Sequence, residues 1–71
     1  MNNIESINNS IQTLMSTKNC LIDENNFLEQ TQKPHNRNIQ MEIYRNNLKI
    51  LDIEQNLSTL YNQLNTARNS Q

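Results

Sequence analysis

The sequence predicts an all-α fold, an antiparallel two-helix coiled-coil hairpin that is part of a larger helical bundle. Three observations predict it. Apolar residues recur at alternating spacings of three and four in both halves of the chain, the single proline lies between the halves, and glycine is absent. Neither a period-two alternation nor an Asn-Gly turn occurs, so β-strands are not expected.

The first helix is predicted over about residues 3–31. With heptad positions lettered a to g, isoleucine or leucine fills most of the a and d positions, which are 4, 7, 11, 14, 18, 21, 25 and 28. The exceptions are Lys18 and Asn25. Asn2 with Glu5 three residues later fits a capping box at the start of this helix.

The second helix is predicted over about residues 39–68. Its a and d positions, all apolar except Asn46, are 39, 43, 46, 50, 53, 57, 60, 64 and 67. Because Pro34 lacks an amide hydrogen and keeps the preceding residue out of helical angles, a turn is predicted at about residues 32–38. Asn36 or Asn38 is expected to cap the helix that follows.

The polar residues at the a and d positions indicate how the two halves pair. If the chain turns between His35 and Asn36, Asn25 lies opposite Asn46, and the two amides can hydrogen-bond where each would otherwise lose its water. We therefore interpret Asn25 and Asn46 as the residues that set the register of the hairpin. In this register the ammonium of Lys18 can extend toward the carboxylate of Glu54.

An extended parallel dimer is the alternative fold. In it the chain would not fold back, and Lys18 and Asn25 at a positions would select two strands. Asn46 would then pair with its own copy, and Pro34 would interrupt the coil.

A second group of apolar residues lies away from the a and d positions. Met41, Tyr44, Leu48 and Leu51 recur at spacings of 3-4-3 at f and b positions of the second helix, and Met15, Ile22 and Tyr61 occupy e positions. A hairpin alone would leave them in water. Because contiguous exposed apolar area usually marks an interface, we predict that these residues bind a partner.

No residue pattern predicts catalysis, a metal site or a cofactor. His35 stands alone, so a metal would have to be shared with another chain. No base is placed to activate Cys20, which is expected to be a small apolar filler beside the seam. Without glycine there is no phosphate-binding loop. The chain is therefore not expected to be an enzyme.

Charge and hydropathy limit the partners further. The net charge is -1 without a run of like charges, so nucleic acid is not the expected partner. Glu42 with Arg45, and Lys49 with Asp52, are expected to be solvated ion pairs on the helix surface. No segment approaches the roughly 18 apolar residues of a membrane span. With no visible leader and one unpaired cysteine, an intracellular site, cytoplasmic or nuclear, is expected.

Two functions fit these features. The first is a non-enzymatic structural or assembly subunit of a coiled-coil multi-protein complex, since in length and pattern the chain resembles the very small helical subunits of kinetochore and tethering complexes. The second is a free homodimeric four-helix-bundle regulator of the phage or plasmid type, which binds a partner helix or, as the weaker version, RNA. The partner in either case is another helical subunit or a second copy.

Overall fold

The protein is two long α-helices packed against each other, which confirms the all-α hairpin. The computed structural model describes residues 3–31 and 37–70. Helix α1 is Asn3–Thr31 and helix α2 is Arg37–Asn69. Because α2 already includes Asn38, that residue lies in the first helical turn and is not the cap. The expectations for Asn2, Pro34, His35 and Asn36 fall outside the described residues.

The helices run antiparallel and form a narrow rod. Met15 contacts Tyr61, and Asn25, which lies later in α1, contacts Asn46, which lies earlier in α2. The two helices therefore run in opposite directions. The rod measures 56 × 15 × 14 Å. This length is close to that of a straight helix of the size of α2, at about 1.5 Å per residue. An extended parallel dimer is therefore not the arrangement of this chain.

The core is the single line of contact between the helices, here called the seam, and it consists of the a and d positions. Every seam position is buried or half-buried. Of the described residues outside the seam, Asn8 alone is half-buried and the others are exposed. The buried apolar side chains are Ile11, Ile53, Leu57 and Leu64, and the half-buried ones that pack on them are Ile4, Ile7, Leu14, Leu21 and Leu60. The seam is predicted correctly because the longest apolar heptad pattern of each helix faces the other helix.

Two smaller expectations were wrong. Cys20 is exposed, because counting from Lys18 at an a position places it at c, on the outer face of α1. Within residues 3–31 and 37–70 the structure has one ion pair, Lys18–Glu54. The expected pairs Glu42–Arg45 and Lys49–Asp52 therefore do not form. Holding two long solvated side chains together costs entropy that a surface ion pair barely offsets.

Candidate partner-binding surface

A hydrogen-bonded group of four polar side chains crosses the seam near its turn end. Asn46 Nδ2 donates to Asn25 Oδ1 over 3.0 Å and to Glu24 Oε1 over 3.1 Å. Asn25 Nδ2 donates to Asn47 Oδ1 over 2.9 Å. The two central amides are among the most buried groups of the hairpin, with 8% of Asn25 and 5% of Asn46 exposed.

The arrangement keeps these buried amides hydrogen-bonded. Both hydrogens of the Asn46 amide have acceptors, and the Asn25 amide both donates and accepts. An unpaired amide at this depth would cost about 1–3 kcal/mol, so any register that separates Asn25 from Asn46 is disfavoured by that amount. The contact agrees with the predicted register, and the role of the two residues in setting it remains our interpretation.

Two members of this group, Glu24 and Asn47, were not predicted from the sequence. They occupy g and e positions, where polar residues normally face water and carry no signal of their own. Their proximity to Asn25 and Asn46 in the heptad is the one sequence feature that could have indicated them.

Farther along the seam, a single ion pair replaces apolar contact. Lys18 Nζ lies 3.2 Å from Glu54 Oε2, as expected for a long side chain that keeps its charge at the edge of the seam. The Lys18 side chain is 28% exposed and that of Glu54 48%, so water screens this pair and its contribution to stability is small.

The first part of the candidate surface lies on the outer side of α2, and we call it the outer stripe. Its four residues are Met41, Tyr44, Leu48 and Leu51. All are exposed, with 58% of Tyr44, 49% of Leu48 and 56% of Leu51 accessible to water. They follow the same alternating spacing as the seam, so together they form a band that a further helix could cover.

The second part lies along the groove between the helices and consists of Met15, Ile22 and Tyr61, here called the groove residues. All three are exposed, and Tyr61 Oη donates a hydrogen bond to Met15 Sδ over 3.7 Å, which joins the two helices across the groove. On a helix of 3.6 residues per turn the e position lies between a and b. The groove residues and the outer stripe therefore belong to one flank of the hairpin.

The opposite flank is polar. A shallow open cleft there is lined mainly by short polar side chains, among them Ser6, Asn9, Ser10, Thr13, Asn56 and Thr59. Several hydroxyls on this flank bond to their own helix, as Thr13 Oγ1 does to the carbonyl of Asn9 at 3.0 Å. Phe27 is the one large exposed apolar residue on the described part of this flank. The two flanks thus differ sharply in apolar content.

Neither chemistry nor similarity assigns another site. Within the described helices there is no group of three His, Cys, Asp or Glu residues that could hold a metal ion. Neither of these helices is long and apolar enough to cross a membrane. No protein-family model, curated protein or solved structure matches the chain.

Proposed function

We propose that the protein is a non-enzymatic structural or assembly subunit of a coiled-coil multi-protein complex. Its seam closes within the chain, and the outer stripe with the groove residues packs against partner helices. The observation that carries the proposal is that seven large apolar side chains, Met15, Ile22, Met41, Tyr44, Leu48, Leu51 and Tyr61, are exposed on one flank.

The energetics of the hairpin support this proposal. Its core has four buried apolar residues, and none of its side chains reaches full burial in the described chain. A chain of this size supplies only about 3–5 kcal/mol from its own core. Burying a leucine side chain completely contributes about 1.5–3 kcal/mol. Burying the half-exposed Leu48 and Leu51 against a partner would therefore add stability comparable to a large fraction of what the core supplies.

The alternative function is a free homodimeric regulator, and the arrangement of charges supports part of it. Nucleic-acid binding would need a basic face, but Arg37, Arg45, Lys49 and Arg68 occupy four different heptad positions. Lys18 is already engaged with Glu54. The homodimeric version that binds a partner helix is therefore favoured over the version that binds RNA.

Light scattering with circular dichroism on the whole chain tests the proposal. The wild-type chain is expected either to associate or to stay a poorly helical monomer that orders only with its partner. If it associates, Leu48→Glu with Leu51→Glu should abolish assembly and leave the seam residues untouched, since four carboxylates would enter each dimer interface. If the chain is a poorly helical monomer, a helical partner that orders the wild type should fail to order the double variant.

The matched control is Asn56→Glu with Gln63→Glu. Both residues are exposed g positions of α2 on the polar flank, so the change adds the same charge to the same helix away from the apolar flank. This control should assemble as the wild type does. A stable helical monomer whose outer stripe stays in water, or assembly unaffected by the glutamates at 48 and 51, would contradict the proposal.

A further inference from the structure

We infer that the outer stripe is covered by the outer stripe of a second copy of this chain, so that two α2 helices pair antiparallel. This inference rests on the proposed function and names the partner. It depends on how two charged residues, Arg45 and Asp52, lie beside the stripe.

The spacing of the stripe allows it to pair with itself. With two copies antiparallel, Met41 lies opposite Leu51 of the second copy and Tyr44 lies opposite Leu48 of the second copy. The same contacts recur on the other side of the two-fold axis, as an isologous interface requires. In this register each member of the stripe meets another member. A shift by one heptad in either direction would leave two of the four members without a partner from the stripe.

The hairpin shows where flanking residues meet in such a pair. The Asn25–Asn46 contact sets Leu14 opposite Leu57, yet the flanking contact joins Met15, one residue after Leu14, to Tyr61, four residues after Leu57. The cause is that side chains lean toward the start of their own helix. In an antiparallel pair they therefore converge on partners displaced in this way.

The same displacement brings opposite charges together across the proposed interface. Arg45 follows Tyr44 by one residue and Asp52 follows Leu48 by four. Arg45 of each copy therefore converges on Asp52 of the other, which forms two equivalent ion pairs beside the stripe. Moving the register by one heptad brings Arg45 against Arg45 in one direction and Asp52 against Asp52 in the other. Charge thus selects the register that also buries the whole stripe.

Both residues are available for this contact. Arg45 and Asp52 are exposed, and neither forms an ion pair within the described part of the chain. A parallel pairing of the stripes would instead place Asn47 near Asp52 and Gln40 near Arg45, with no pair of opposite charges. The antiparallel second copy is therefore the occupant that this surface fits best.

Charge reversal and mixing test the inference, with sedimentation equilibrium on the full chain as the measurement. Arg45→Asp alone and Asp52→Arg alone each place like charges at both sites, and each should weaken self-association about tenfold. The combined variant Arg45→Asp with Asp52→Arg restores opposite charges and should associate like the wild type. An equimolar mixture of the two single variants should form a heterodimer, because each chain then meets the opposite charge.

The possible outcomes separate this inference from the proposed function. The antiparallel register is overturned if the single variants self-associate as tightly as the wild type. It is also overturned if the equimolar mixture associates no more tightly than either single variant alone. A wild-type chain that is a poorly helical monomer overturns self-pairing and leaves the proposed assembly role in place. Self-association that persists in the variant Leu48→Glu with Leu51→Glu overturns both the self-pairing of the outer stripe and the proposed function. Circular dichroism of each variant checks that α2 remains helical.

Discussion

Helix α2 carries two apolar stripes with the same alternating spacing and opposite exposure. The seam residues Ile53 and Leu57 are each 7% exposed, whereas Leu48 and Leu51 of the outer stripe are 49% and 56% exposed. The alternating spacing therefore places apolar residues on one face of the helix, but it does not determine whether another helix covers that face. Since α1 can cover only one side of α2, the outer stripe stays exposed in the single chain.

The largest expected difference between the two stripes comes from truncating one leucine in each. Leu57→Ala removes a buried side chain from the core and should lower the free energy of unfolding by about 2–3 kcal/mol at every protein concentration. Leu51→Ala should change the stability of a single hairpin by less than about 0.5 kcal/mol. Urea unfolding followed by circular dichroism, at several concentrations, measures both effects.

The concentration dependence distinguishes the two roles. If Leu51 acts by binding a second chain, the loss of stability in Leu51→Ala should grow as the wild type associates, because association stabilises the folded state by mass action. Equal and concentration-independent losses at 51 and 57 would mean that the two stripes do not differ in function.

The next effect concerns the polar crossing of the seam. Asn46→Leu removes the donor to Asn25 Oδ1 and leaves that buried oxygen without its partner. We expect a loss of about 1–3 kcal/mol, measured by thermal or urea unfolding. The exposed stripe has no comparable polar group, so this cost is specific to the seam.

Replacing both amides provides the control. Asn25→Leu with Asn46→Leu leaves no buried amide unpaired, so its stability should return to that of the wild type or exceed it. The double-mutant cycle then measures the coupling between the two residues. Additive losses would show that the amides do not act as a pair, and our interpretation of them as register-setting residues would fail.

The smallest expected effect is at the edge of the seam. Lys18→Met removes the ion pair with Glu54, and because both side chains are partly exposed the stability should change by no more than about 0.5 kcal/mol. The salt dependence of unfolding should decrease slightly. A loss several times larger, insensitive to salt, would mean that Lys18 has a packing role instead.

Most of the fold could be predicted from the sequence because the seam obeys one periodic rule. The heptad indicated which residues face inward, and two of the three polar interruptions, Asn25 and Asn46, indicated the register that the hydrogen bond between them shows. The Lys18–Glu54 pair followed from the same register. Such inferences succeed where a single geometric repeat decides every contact.

Other features depend on local geometry that the repeat does not encode. Glu24 and Asn47 join the amides through side-chain reach, which heptad letters do not specify. The start of α2 at Arg37 instead of residue 39 depends on the first helical turn, where boundaries shift by one or two residues. The fold of one copy leaves the outer stripe exposed, and the second chain that we propose as its cover cannot be read from the repeat of one chain.

Intrachain cross-linking tests the central claim most directly, namely that the seam closes within one chain while the outer stripe binds another. Leu14 and Leu57, which face each other in the register that the Asn25–Asn46 contact shows, are replaced by cysteine in a Cys20→Ser background. Oxidation should give an intrachain disulfide, seen by non-reducing electrophoresis, and the linked chain should assemble as the wild type does. Disulfides that form only between chains would contradict the account.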